Sequence, residues 1–472
     1  MSKNKLFLIC VIVWVLVTLL RVAFHQPWYA ESHAYMLAQN YSILDLIAEM
    51  RVEGHLLIWY LLIMPFAKLK LWYPYPMLII NWIFAFVALL LMWKKAPFHP
   101  VTKAIITFSY PFLAELPVVA RCYSIGVMLL VIITSLYHKS LKHPIWYSVL
   151  IFLCANTSVM ALFGVTAFGI IFVCDLIKGA LNNEVSKKDF RISFSILAIA
   201  GVVILWQLFS AMSYPVPNDG TFLAFFSDFL LGYSGTHSVL LKYLFTSVIA
   251  VTALFTAILF LIKDRRIFFI WLLPIMLMLW CFIFKHSGYS HHYIFFWIYT
   301  MLGYWLLYPK LQDNGKLRKA AEIILASFFI VMLFSKGITN ASVYNSHTGI
   351  ISDIIKHKTV APARIVLVTR PLEAVAPYLE KENIEIYTYE KASPVQECEI
   401  MNVANDSTYF KISPDWLKKS LSDDRNNYVL IPDIVEGGGE PVPLKFATNR
   451  LAIYMLPVAY VKNGYILYKV LD

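Results

Sequence analysis

A chain of 472 residues in which 59% are hydrophobic and only 15% charged, with a mean hydropathy of +0.65, lacks the polar surface of a soluble protein, which takes about a quarter of its residues charged. The composition is that of a polytopic membrane protein. The net charge of +11, from 40 basic and 29 acidic residues, sits in short clusters between apolar runs. Lys94-Lys95, Lys187-Lys188 and Lys263-Asp264-Arg265-Arg266 read as cytoplasmic loop anchors and not as a nucleic-acid footprint.

The first apolar stretch, Leu6 to Phe24, follows Lys3 and Lys5 and is long enough to span a bilayer. No small-residue cleavage site follows it, so it is expected to stay as a span and not to leave as a signal peptide. Residues 25–54 come next. There Ala34, Leu37, Ala38 and Tyr41, then Leu44, Ile47 and Ala48, fall at helical spacing. The pattern predicts two short helices along the membrane surface, with Trp28, Tyr29 and Tyr35 at headgroup level. Further apolar runs at 55–67, 76–93, 102–118, 121–137, 145–162, 163–179, 192–212, 240–262, 266–284, 291–308 and 319–336 bring the expected count to about eleven to thirteen spans. Positive-inside bias puts the N-terminus in the cytoplasm and residues 25–54 outside. Lys68 and Lys70 compete with Lys94 and Lys95 around one short pair of runs, which leaves the parity of the topology open. A second long connection, 213–239, separates two of the later runs.

From about Gly337 the composition becomes that of a soluble domain. Strands are predicted at Ala363 to Thr369, Ile384 to Tyr389, Tyr428 to Ile431, Leu451 to Leu456 and Tyr465 to Val470, with a helix from Leu372 to Lys381. The expected organisation is therefore a transmembrane domain over 1–336 and a small α/β domain over 337–472. Gly437-Gly438-Gly439 lacks the strand-to-helix setting and the Lys-Ser/Thr of a phosphate-binding loop. The six cysteines, Cys10, Cys122, Cys154, Cys174, Cys281 and Cys398, show no metal or redox spacing and read mostly as small buried hydrophobes.

Ionisable residues at membrane boundaries are expensive, which makes four groups candidates for chemistry. Glu31 with His33 offers a carboxylate able to act as a general base or to help hold a divalent cation, against a plain solvated loop. Glu53-Gly54-His55 stands where the second run begins, its glycine permitting a tight turn. Glu115 to Tyr123 places an acid, Pro117 and Arg121 inside an apolar stretch; Arg121 suits a phosphate, or else pairs with Glu115. His286, His291 and His292, beside Lys285, have no i,i+4 partner and acid for zinc, so phosphate contact is the expectation. No metal site is assigned; a divalent cation is compatible with these acids and not required by them.

Taken in order, these motifs resemble the bacterial branch of the GT-C membrane glycosyltransferases, relatives of protein O-mannosyltransferases and of the lipid A aminoarabinose transferase. The resemblance covers about residues 1–336. Family members typically read Trp-x-Asp-Glu-Ala-x-Ala-Trp where this chain has Trp28-Tyr29-Ala30-Glu31-Ser32-His33-Ala34-Tyr35, and Glu-Gly-His-Pro where it has Glu53-Gly54-His55-Leu56. The resemblance implies a polytopic GT-C-like fold and inverting transfer of a sugar from a polyprenyl-phosphate donor. The acceptor would be a lipid, glycan or protein on the outer face of the plasma (inner) membrane. Glu31 and Glu53 would be the catalytic carboxylates, and His33, His55, Glu115, Arg121, Tyr123, His291 and His292 would bind substrate. Arg121 with His291 or His292 would stabilise the lipid-phosphate leaving group.

Ala30 stands where the family carries its aspartate, and an alanine neither takes a proton nor binds a cation. Either Glu31 or Glu53 has taken over, the chain is an inactive or specialised relative with an accessory or sensor role, or the position has been altered deliberately. A lipid-linked sugar transporter or flippase is the remaining class. Against it, the charges gather at one boundary and no internal repeat is visible.

Overall fold

The computed structural model describes residues 2–53, 55–213, 239–284, 290–333, 348–367, 375–379, 383–388, 420–421, 423–432, 444–448, 451–461 and 465–471. The chain divides into two units. One comprises Met1–His25, Leu37–Leu71 and Tyr75–Val343, the other Gln26–Met36, Trp72–Pro74 and Tyr344–Asp472.

The first unit is helical. In chain order its helices, with α2 shared between the units, are α1 (Lys3–Phe24), α2 (Tyr29–Asn40), α3 (Ile43–Glu53), α4 (Ile58–Lys68), α5 (Tyr75–Lys95), α6 (Pro100–Phe108) and α7 (Leu116–Val118). Then follow α8 (Tyr123–Leu136), α9 (Pro144–Ala155), α10 (Val159–Leu181), α11 (Lys187–Ser213), α12 (Val239–Lys263), α13 (Arg265–Phe284), α14 (Ser290–Leu307) and α15 (Gly315–Leu333). Among the described residues, six helices are long and apolar enough to cross a membrane: Lys3–Phe24, Tyr75–Lys95, Tyr123–Lys142, Val159–Leu181, Lys187–Gln207 and Arg265–Phe284. The chain is a helical membrane protein.

Helix starts follow short polar side chains that accept otherwise unpaired N–H groups. Ser42 caps α3 reciprocally with Asp45: the serine Oγ accepts the Asp45 N–H at 3.2 Å and Oδ2 accepts the Ser42 N–H at 3.3 Å. Ser158 accepts from Ala161 at 3.1 Å, Ser186 from Asp189 at 3.0 Å and Asn314 from Leu317 at 3.0 Å. Asp264 does the same for α13, accepting from Arg266 at 2.8 Å and Ile267 at 3.3 Å. Close packing between helices depends on small residues. A Cβ on Gly126 would stand 2.8 Å from the Ala161 Cβ, and one on Gly164 would stand 2.8 Å from the Tyr299 ring.

Two sequence expectations are corrected here. The 55–67 run forms only the 11-residue α4, roughly 16 Å long against a hydrocarbon core of about 30 Å. At its end Lys68 donates to the carbonyls of Tyr41 at 2.8 Å and Gln39 at 3.4 Å, so α4 finishes beside the end of α2. On α3, Leu44 is 77% exposed and open to the surroundings, while Leu46 and Met50, one turn apart, are buried. Cys174 is exposed, while Cys10, Cys122 and Cys154 are buried as expected.

The 102–118 run is broken rather than continuous. Pro111 opens a π-helical turn, Pro111–Glu115, and Pro117 lies in the short α7 after which the chain turns extended at Val119. A proline has no N–H and its ring crowds the carbonyl four residues back, so two prolines six apart unwind the segment. Inside an apolar unit the freed carbonyls need donors. Trp14 Nε1 donates to Phe112 at 2.6 Å, and the Leu116 carbonyl accepts from Asn81 at 2.8 Å and Ser124 at 2.5 Å.

The second unit holds a six-stranded mixed sheet of order β2-β1-β3-β6-β5-β4. Its strands are β1 (Ala363–Leu367), β2 (Ile384–Thr388), β3 (Asn426–Pro432), β4 (Leu444–Thr448), β5 (Leu451–Val461) and β6 (Tyr465–Leu471). β1 runs parallel to β2 and β3; β3, β6, β5 and β4 continue as antiparallel neighbours. Five strands agree with the sequence expectation and β4 is additional. Helices α16 (Thr348–Lys358) and α17 (Ala376–Leu379) pack Ile351, Ile355 and Leu379 against Ile365, Tyr428, Leu430 and Leu467. The Gly437-Gly438-Gly439 turn and the 214–238 connection lie outside the described residues.

Candidate functional site

The non-helical 119–122 segment after α7 determines where the chemistry can gather in the helical unit. Glu115 ends the π turn, Arg121 and Cys122 lie in the connection to α8, and Tyr123 is the first residue of α8. His55 comes from the short connection before α4, and His291 and His292 from the first turn of α14. Arg121 Nη2 hydrogen-bonds to Nε2 of His55, whose Nδ1 lies 3.8 Å from the Cys122 sulfur. The Tyr123 hydroxyl is 2.9 Å from Nε2 of His292, and the Tyr123 ring stacks on His291 at 5.2 Å between centroids. His291 Nδ1 stands 4.0 Å from Oε1 of Glu115, and Oε2 of Glu115 accepts from the Tyr110 hydroxyl.

Six of the predicted site residues, His55, Glu115, Arg121, Tyr123, His291 and His292, therefore form one contiguous cluster centred on Tyr123. Arg121 is 6% exposed, Glu115 2% and His291 3%. Burying a guanidinium is costly unless it is hydrogen-bonded, and His55 supplies such a partner to Arg121 while Glu115 places a buried carboxylate in the same cluster. Sequence reasoning missed Tyr110, which bonds Glu115, and Asn81, which sustains the broken backbone. A lone asparagine inside the apolar α5 was the available signal for the second; nothing marked Tyr110.

Glu31 and His33 belong to the other unit, on α2. Glu31 is 0% exposed, not a solvated loop residue, and its Oε2 accepts the Trp28 N–H at 3.1 Å, reaching back over the first turn as the acid of a capping box does. Ser32 shares a 2.7 Å hydrogen bond with the Tyr73 hydroxyl, and Tyr73 meets the rings of Tyr35 at 4.6 Å and Tyr378 at 4.9 Å. Burial pushes the Tyr73 phenol well above its ordinary range, and Tyr378 and Glu31 add to the rise. Tyr35 is a packed ring in this unit rather than an exposed anchor. His33 is half-buried on α2 and Ala30 is half-buried two residues into the same helix.

Glu53 closes α3, but its side chain, Gly54 and the 285–289 stretch with Lys285 and His286 lie outside the described residues. Among the described residues no three His, Cys, Asp or Glu side chains are grouped to hold a metal ion. No family model matches the chain, and no curated protein matches it.

Proposed function

We propose that the protein is a membrane glycosyltransferase that moves a sugar from a polyprenyl-phosphate donor to a lipid, glycan or protein acceptor outside the membrane. The observation that carries this is the buried cluster in which Arg121 and His55 lie beside Tyr123, His291 and His292. When the sugar–phosphate bond breaks, the electron pair leaves on the lipid phosphate, and prearranged donors lower that barrier by meeting the charge as it forms. Arg121 and His55 are the phosphate contacts, and Tyr123 with His292 supplies a hydroxyl and an imidazole to the same anion. Glu31, with Glu53 as alternative, orients or deprotonates the acceptor.

The topology that fits this reading has eleven crossings: α1, α5, the broken α6-to-α7 segment, and α8 through α15. The 12-residue α9 is only one residue longer than α4, and it is the Lys68 contact rather than length that returns α4 to the side it started from. An odd number puts the N-terminus in the cytoplasm and the C-terminal unit, as a soluble α/β domain, outside the plasma (inner) membrane.

Binding of a fluorescent polyprenyl-phosphate sugar to the purified protein tests the donor assignment, with Arg121→Gln as comparison. A loss of about 10²-fold in affinity is expected from removing a charge-assisted contact. Equal binding in the two proteins ends the assignment.

A second reading, a catalytically inactive relative, is favoured by Ala30 together with the engagement of Glu31 at its own helix start. Transfer gained by Ala30→Asp from a silent parent supports it, and robust transfer by the parent removes it.

A further inference from the structure

At the end of the helical unit that carries the N-terminus, a cavity of about 660 Å³ opens between α6, the Tyr308 turn and α15. Phe7 packs on Trp93 at 5.4 Å, and Lys103 of α6 donates to the Trp93 carbonyl at 2.7 Å, which fixes this end beside the start of α1. Its lining combines the cations Arg318 and Lys319 and the imidazole of His99, near the starts of α15 and α6, with apolar Val101, Ile105 and Ile323 further along the same two helices. Arg318 lies 4.8 Å from the centroid of the Tyr308 ring, which holds its guanidinium at the rim. Val101 and Ile323 are exposed, so the apolar residues open to whatever surrounds the helices.

Glu322 also lines the cavity, and its charge is outnumbered by Arg318 and Lys319 while its oxygens are turned to donors of the protein. Oε1 accepts the His99 N–H at 2.7 Å and the Tyr308 hydroxyl, and Oε2 accepts the Thr102 hydroxyl at 2.5 Å. Three neutral donors hold the carboxylate in place, so its charge stays engaged with them while Arg318 and Lys319 leave the lining with one net positive charge.

We propose that this cavity binds an anionic glycerophospholipid from the leaflet on the N-terminal side. His99, Arg318 and Lys319 contact the phosphate, and Val101, Ile105 and Ile323 contact an acyl chain. A bare phosphate or nucleotide satisfies only the basic residues, and a neutral lipid or a hydrophobic peptide only the apolar ones. A diacyl lipid with net negative charge satisfies both at once, and basic pockets between membrane helices suit such headgroups.

The test uses the full chain in nanodiscs of phosphatidylcholine with rising phosphatidylglycerol, read as the thermal unfolding midpoint. Wild type is stabilised with half-saturation at a mole fraction at least about tenfold lower than in the Arg318→Gln/Lys319→Gln variant, as expected from two surface cations. Lys187→Gln/Lys188→Gln, equally basic and outside the cavity, tracks wild type. Ala326→Trp, which fills the cavity and keeps the charges, loses the response and serves if the double variant does not fold. The proposal is overturned by no phosphatidylglycerol dependence in wild type, by equal losses in both double variants, by an intact response in Ala326→Trp, or by the same stabilisation from inorganic phosphate in pure phosphatidylcholine.

Discussion

The hydroxyl of Tyr123 and Nε2 of His292 stand 2.9 Å apart although 169 positions separate them in the chain. This hydrogen bond ties the start of α8 to the start of α14 in the middle of the proposed donor site. Tyr123→Phe removes it and keeps the ring stack on His291. The expected stability loss is about 1 kcal/mol, the usual worth of one such bond. Single-turnover transfer is expected to fall about 10²-fold if the hydroxyl faces the departing phosphate. Loss of stability with an unchanged rate would leave Tyr123 a purely architectural residue.

Glu31 has two jobs to separate. Glutamine at the same position still accepts the Trp28 N–H, so Glu31→Gln keeps the helix start and is expected to change stability by less than about 0.5 kcal/mol. Glu31→Ala loses the acceptor as well and costs roughly 1 kcal/mol. If the carboxylate serves the acceptor, transfer falls about 10²- to 10⁴-fold in both variants. Full transfer by Glu31→Gln passes the role to Glu53.

Asp264 gives the helical unit a stabilising contact that depends on acidity. Burial alone would raise its carboxyl, but hydrogen bonds from Lys310 and from the Arg266 and Ile267 N–H groups hold it below the ordinary 3.8. A folded-state value below the unfolded one means the contribution is complete above about pH 4 and fades as the pH falls through the lower, folded value. Asp264→Ala is expected to lower stability by about 1 kcal/mol at pH 7 and to flatten the midpoint's dependence on pH below about pH 4. Thermal unfolding at several pH values measures both effects; an unchanged acid slope in the variant contradicts the assignment.

Gly126→Ala probes helix contact directly. The added methyl meets the Ala161 Cβ at 2.8 Å and Thr157 Oγ1 at 2.9 Å, and neither is the end of a flexible chain. Overpacking of this kind costs about 1–3 kcal/mol, visible as a lower midpoint, whereas Gly201→Ala, with nothing within 4 Å, is expected to be neutral or slightly stabilising. Equal midpoints for the two variants would show that α8 and α10 can slide apart.

Much of this architecture was legible in the chain. Apolar runs marked the long helices, and β-branched and aromatic alternation marked five of the six strands, because both patterns are local. β4 escaped because Leu444 to Thr448 has Thr448 as its sole β-branched residue and acquires its identity from pairing with β5. The α4 run looked like a span by hydropathy; its helix has only 11 residues and Lys68 reaches back to Tyr41, a contact with no sequence signature. Arg121, His55 and the histidine pair were legible as costly residues, since charges in apolar surroundings stand out. Their common centre on Tyr123 was not, because it depends on the two prolines that unwind the chain between α6 and α8.

Glu322 has a consequence for biosynthesis. Its partners His99 and Thr102 emerge from the ribosome 223 and 220 residues earlier, and the His99 N–H and the Thr102 hydroxyl obtain this acceptor only when α15 arrives. Fragments that end before Gly315 therefore hold α6 without its clasp and are expected to be more open to quality-control proteases than fragments that run through Leu333.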